Sequence, residues 1–236
     1  MQYIGVDGCR KGWFAVSIGP DGRRFEIGIF ETIGDLWRSL QNGALILIDI
    51  PIGLPHTGKR LCDIDARRVL KKRSASVFPV PCRQAIRADT YRKACRINQK
   101  TLGAGLCVQT WNLAGKIRDV DDLLCGNSNA RQWVRESHPE ICFWALAGKR
   151  PMAYSKKTDQ GSAERMRLLK KNNPATEKII YTALKNYPRK YLAADDILDA
   201  TALAVTASAG MDALISIPEN PPRDSMGLPM EIVYCG

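Results

Sequence analysis

In the first fifty residues, apolar side chains fall in three short runs, at positions 2–7, 12–18 and 24–30, divided by turn chemistry rather than by helix. The dividers, Gly8-Cys9-Arg10-Lys11 and Gly19-Pro20-Asp21-Gly22, are hairpin signals, so the pattern predicts an antiparallel meander. Thr32 then caps a short helix with Leu36, Trp37 and Leu40 on one face, which Asn42-Gly43 ends. Ala44-Leu45-Ile46-Leu47-Ile48 is continuously apolar, as befits a strand covered on both faces. Residues 60–124 switch to a basic, helix-period texture with breaks at Phe78-Pro79-Val80-Pro81 and Gly103-Ala104-Gly105. A last strand of the sheet is expected over 133–136, followed by a helix with Ser137 or His138 near its cap and Pro139 in its first turn. Helices over 162–171, 174–186 and an Ala-rich 193–209 follow, and 231–234 reads as a strand.

Three hairpin-linked strands, a helix, a buried strand and then alternating helix and strand predict an α/β protein of the ribonuclease-H-like fold. That fold is a mixed five-stranded sheet flanked by helices. No linker-like stretch divides the chain, so residues 1–236 read as one domain with a basic helical insertion after the fourth strand, at about 58–130.

Composition narrows the classes. With 45% hydrophobic residues and five Trp the chain can bury a sizeable core. Its apolar runs fall short of the roughly 20 residues a spanning helix needs, so no membrane role is expected. The start of the sequence lacks the pattern of a secretory signal, which favours a cytoplasmic location. The eight Cys are scattered and read as free thiols; with only His56 and His138 beside them, zinc-ligand spacing is missing, and any metal would be held by carboxylates. The net charge of +11 is uneven: +10 over 59–100, +6 over 149–171 and −6 over 191–236. That asymmetry suits a polyanionic partner such as DNA or RNA, and equally a set of solvated helix faces.

Two acids stand at odd places. Asp7 and Asp49 each close an apolar strand, where an ionised carboxylate is costly unless hydrogen-bonded, paired or metal-bound. Capping of the next turn explains either one alone; two on adjacent strands point to metal. Asp196 and Asp199, three apart, share a face of the Ala-rich helix, whose small residues let it approach the sheet closely. Helix N-termini favour acids in any case, and Asp195 reads as the cap or as support for the other two. Glu136 is a further strand-end candidate for catalysis.

A resemblance attaches to these residues. Ile4-Gly5-Val6-Asp7-Gly8-Cys9-Arg10-Lys11-Gly12-Trp13, Ile48-Asp49-Ile50-Pro51-Ile52-Gly53-Leu54-Pro55, Glu136-Ser137-His138-Pro139-Glu140 and Asp196-Ile197-Leu198-Asp199-Ala200 resemble the predicted RNase-H-like nuclease family filed as domain of unknown function 429. The last motif is also similar to the final catalytic helix of RuvC-type resolvases, which carry Glu where this chain has Asp49. The resemblance implies Asp7, Asp49, Asp196 and Asp199 as ligands of Mg²⁺ or Mn²⁺ in a metal-dependent nuclease, with a homodimer if the action is resolvase-like. Substrate contacts are expected from Arg10, Lys11, Arg60, Arg67, Arg73, Lys156 and Lys157, although Arg60, Asp63, Arg67 and Arg73 also read as a buried polar network beside the metal site; Tyr91 and Tyr154 are base-stacking candidates, and Trp111 reads rather as core. Alternatives on the same fold are an actin-like phosphotransferase or ATPase, for which Asp7-Gly8 would open a phosphate hairpin, and a non-catalytic nucleic-acid-binding module.

Overall fold

The computed structural model describes residues 1–40 and 43–236; Asn42, expected to help end the first helix, lies outside them. Strands β1 (Gln2–Cys9), β2 (Gly12–Ile18) and β3 (Phe25–Phe30) form the expected meander, and helix α1 (Ile33–Ser39) follows with Thr32 accepting the Asp35 N–H at 3.0 Å. Strand β4 (Ala44–Ile48) then pairs parallel with β1. Five helices intervene before the next strand of this sheet: α2 (Leu61–Leu70), α3 (Arg83–Ile86), α4 (Tyr91–Leu102), α5 (Val108–Gly126) and α6 (Ser128–Trp133). Strand β5 (Val134–Glu136) pairs parallel with β4 and completes a mixed sheet in the order β3-β2-β1-β4-β5, consistent with a ribonuclease-H-like fold.

The remainder is α7 (Pro139–Leu146), α8 (Asp159–Asn172), α9 (Ala175–Asn186) and α10 (Ala194–Ala207), then a two-stranded sheet of β6 (Leu214–Ile217) and β7 (Ile232–Cys235). An isolated bridge from Ser137 to Val233 ties that small sheet to the end of β5. β6 carries no alternation strong enough to be read from sequence, and the expected C-terminal strand finds its partner there rather than in the main sheet. No helix among the described residues is long and apolar enough to cross a membrane.

Strand alternation divides the core in two. Leu45, Leu47, Phe14 and Val16 pack towards α7 to α10, whereas Ile4, Val6, Ile46, Ile48 and Val134 pack towards α1 and α5. Gly5 lies on the α10 side, and there the backbones nearly touch: a Cβ at Gly5 would stand 2.0 Å from the Ala200 carbonyl oxygen and 2.2 Å from the Ala204 nitrogen. Only a residue without a side chain permits this approach. It brings the first turns of α10 to the C-terminal edge of β1 and β4.

Candidate metal centre

Side chains two apart on a strand share a face, so Asp7 follows Gly5 towards α10, and Asp49 follows Leu45 and Leu47 to the same side. The strands are in register, Val6 opposite Ile48, and the Asp49 N–H donates to the Val6 carbonyl at 3.0 Å. Two carboxylates therefore stand side by side where the parallel strands end. Asp199, on the second turn of α10, completes the group: Asp7, Asp49 and Asp199 each offer an oxygen, and these atoms all lie within 4.8 Å of one another.

The group is electrostatically frustrated. Burial, and then the neighbouring Asp49, Asp199 and Asp196, push the Asp7 carboxyl well above its ordinary range. Burial raises Asp49 as well, and it raises Asp199 to about 6 against the pull of Lys156. The Lys156 Nζ donates to Asp199 Oδ2 at 2.6 Å, and Asp49 and Asp7 add to the field that holds its charge. Lys116 reaches over Gly8 from the opposite face, its ammonium on the Gly12 carbonyl and 4.3 Å from the centre of the Trp13 ring. A cavity of about 100 Å³ opens beside Asp7 and Asp49, with Lys116, Glu136 and His138 on its walls.

The other expected residues divide by location. Asp196 stands outside the 4.8 Å trio, with Oδ2 accepting the Ala193 N–H at 3.0 Å, yet close enough to raise Asp7. Asp195 is half-buried in the same first turn. Glu136 is paired with Ile48, so it faces away from the trio; Arg60 holds both its oxygens at 2.6 and 2.7 Å, and Ile52 N–H donates to it at 2.6 Å. Burial still leaves its carboxyl raised to about 7. Arg60, expected at substrate, is itself buried with its donors spent on Asp63, Glu136 and the Ile52 carbonyl. Arg67 donates to the Val77 carbonyl and Arg73 to the carbonyls of Met152 and Ala153. Arg10, Lys11 and Lys157 are exposed, Lys11 lying 5.3 Å from the Tyr191 ring centre. Tyr154 is exposed, while Trp111 is half-buried against Tyr91. All eight cysteines are free thiols.

Two neighbours escape sequence reading as site residues. His138 caps α7 and bears on Asp49, but both ring nitrogens are engaged: Nδ1 accepts the Glu140 N–H at 3.2 Å and Nε2 meets the Ser76 carbonyl at 3.3 Å. Glu140, two residues on, adds negative charge to Asp49 and Asp199; it is buried, its Oε1 pairs with the fully buried Arg165, and its Oε2 has no hydrogen-bond partner among the described residues. The signal available was the His138-Pro139-Glu140 helix start directly after a strand that neighbours Asp49.

Fold and cluster together define a class: a mixed-sheet α/β protein with buried and half-buried acids gathered at the ends of its central parallel strands. Over residues 5–223 the chain matches the family model described as a protein of unknown function, DUF429, and it belongs to that family. No curated protein matches it, and no solved structure does.

Proposed function

We propose that the protein is a Mg²⁺- or Mn²⁺-dependent phosphodiester hydrolase acting on nucleic acid. The observation that carries this reading is the convergence of three carboxylate oxygens within 4.8 Å of one another. The donor set is all oxygen, which suits hard cations, and the raised carboxyls of Asp7, Asp49 and Asp199 mark a place short of positive charge. Asp7, Asp49 and Asp199 would hold such an ion, with Asp196 in reserve beside them. When bound, it supplies Lewis acidity towards a phosphoryl oxygen.

The chain's own cations support a polyanionic substrate. Lys116 stands on one flank of the carboxylates and Lys156 and Lys157 on the other, where a phosphodiester would meet them. The wider excess of Lys and Arg, +11 over the chain, supplies the attraction that draws a nucleic-acid backbone to that edge.

The test is cleavage of a panel of single-stranded, duplex and branched DNA and RNA with Mg²⁺ or Mn²⁺. The wild type is expected to cut at least one member, and Asp7→Asn to lose 100-fold or more while folding normally by circular dichroism. A wild type that binds Mn²⁺ yet cuts nothing in the panel, or an Asp7→Asn protein that cuts as well, overturns the reading.

A further inference from the structure

Resting on the metal site just proposed, we infer that Lys156 is the resident counter-ion of the carboxylate trio. Its ammonium and a divalent ion compete for the Asp199 carboxylate, and the arriving ion turns the lysine outward. The geometry is specific. Nζ is 2.6 Å from Asp199 Oδ2, the distance of a charge-assisted hydrogen bond, and Asp199 is one of the three acids that converge. Asp199 is 2% exposed, so among the described residues Lys156 is the cation bonded to the trio. A hard divalent ion sits about 2.0–2.6 Å from its oxygens, so one held by Asp199 would share that carboxylate with the ammonium. Two positive charges at that separation, inside a half-dry pocket, repel strongly.

The backbone that carries Lys156 is tied down. The Glu164 carboxylate accepts the Ala153 and Tyr154 N–H groups at 2.9 and 3.1 Å, and Arg165 donates to the Tyr154 carbonyl at 3.2 Å. Arg73 holds the carbonyls of Met152 and Ala153 from the other side. Gly161 then presses on the turn, with no room for a Cβ against the Ser155 carbonyl. A strapped backbone confines the response to the side chain, whose four-carbon stem can swing the charge through several ångströms. Space exists for that swing: the Lys156 side chain is 36% exposed and lines an open hollow of about 360 Å³ shared with Lys157, Thr158 and Arg189. There the released ammonium joins two further cations at the surface where a phosphate would approach. Metal loading and anion binding are thereby linked, since the ion that fills the trio also frees a positive charge for the substrate.

The experiment compares Mn²⁺ binding to the wild type and Lys156→Met by electron paramagnetic resonance of the free ion. It also follows acetylation of Lys156 with and without Mn²⁺ by mass spectrometry, with Lys157 as the internal reference. We expect Lys156→Met to bind Mn²⁺ at least tenfold more tightly, and Lys156 in the wild type to label several-fold faster when metal is present. Equal Mn²⁺ affinities, or a labelling rate that metal leaves unchanged, overturn the inference while the metal site stands. Absence of Mn²⁺ binding by both proteins at millimolar concentration overturns site and inference together.

Discussion

Asp199 is one of several raised acids, with Asp7, Asp49 and Glu136, that make the stability of the metal-free protein depend on pH. Its carboxyl is raised to about 6 from an ordinary 3.8, so between those values the folded chain holds a proton that the unfolded chain has released. Stability from this group is full below about pH 4 and is lost as pH rises through 6, up to about 3 kcal/mol. Urea midpoints of the metal-free protein are therefore expected to fall from pH 4.5 to 7 more steeply in the wild type than in Asp199→Asn; equal slopes would show that Asp199 titrates normally. The acids themselves were legible because each breaks a local rule: Asp7 and Asp49 close apolar runs of sequence, although β1 itself continues to Cys9, and Asp199 sits three residues past Asp196 on a helix of small side chains. Glu136 looked alike in sequence, and its register opposite Ile48 turns it to the other face, a matter of parity that a three-residue strand does not reveal. For Arg60 the buried network with Asp63 could be read from their spacing, whereas Glu136, the partner that takes up the rest of its guanidinium, lies far along the chain and could not.

At the scale of elements, the site depends on how closely α10 lies on β1. Gly5→Ala forces a methyl group into the Ala200 carbonyl and the Ala204 nitrogen, backbone atoms that move only with the whole helix. We expect a loss of about 3 kcal/mol or more in denaturant-derived stability, together with loss of the thermal shift produced by Mn²⁺; a Gly5→Ala protein of normal stability would mean that α10 can withdraw freely. The meander, β4 and the Ala-rich helix could be read from apolar pattern and turn chemistry, since each is settled by neighbours in sequence. The partner of the C-terminal strand could not, because β6 is four residues long and, among the described residues, pairs with β7 alone. Likewise α6, six residues long, falls below the length at which helical periodicity declares itself.

For the molecule as a whole, charge distribution would govern encounter with the proposed polyanion. Basic segments lie over residues 59–100 and around Lys156, while among the C-terminal acids Asp199, Asp224 and Glu231 are buried, the last two paired with Arg83 and Arg135, and Asp212 and Glu219 stay exposed. Binding of a duplex oligonucleotide in Ca²⁺ is expected to weaken about tenfold between 50 and 200 mM salt for every two phosphates neutralised. An affinity indifferent to salt would remove nucleic acid from consideration as the partner.

The pairing of β1 with α10 also carries a timing. The acids of the trio come from β1, the residue just after β4 and helix α10, so Asp7 and Asp49 leave the ribosome long before Asp199 does. A growing chain can fold its meander early, yet it holds only two of the three acids until α10 has emerged and docked. A hydrolytic site built on the trio would thus stay incomplete until α10 has docked, and a translation product interrupted before that helix, however well its sheet is formed, would lack one of the three acids.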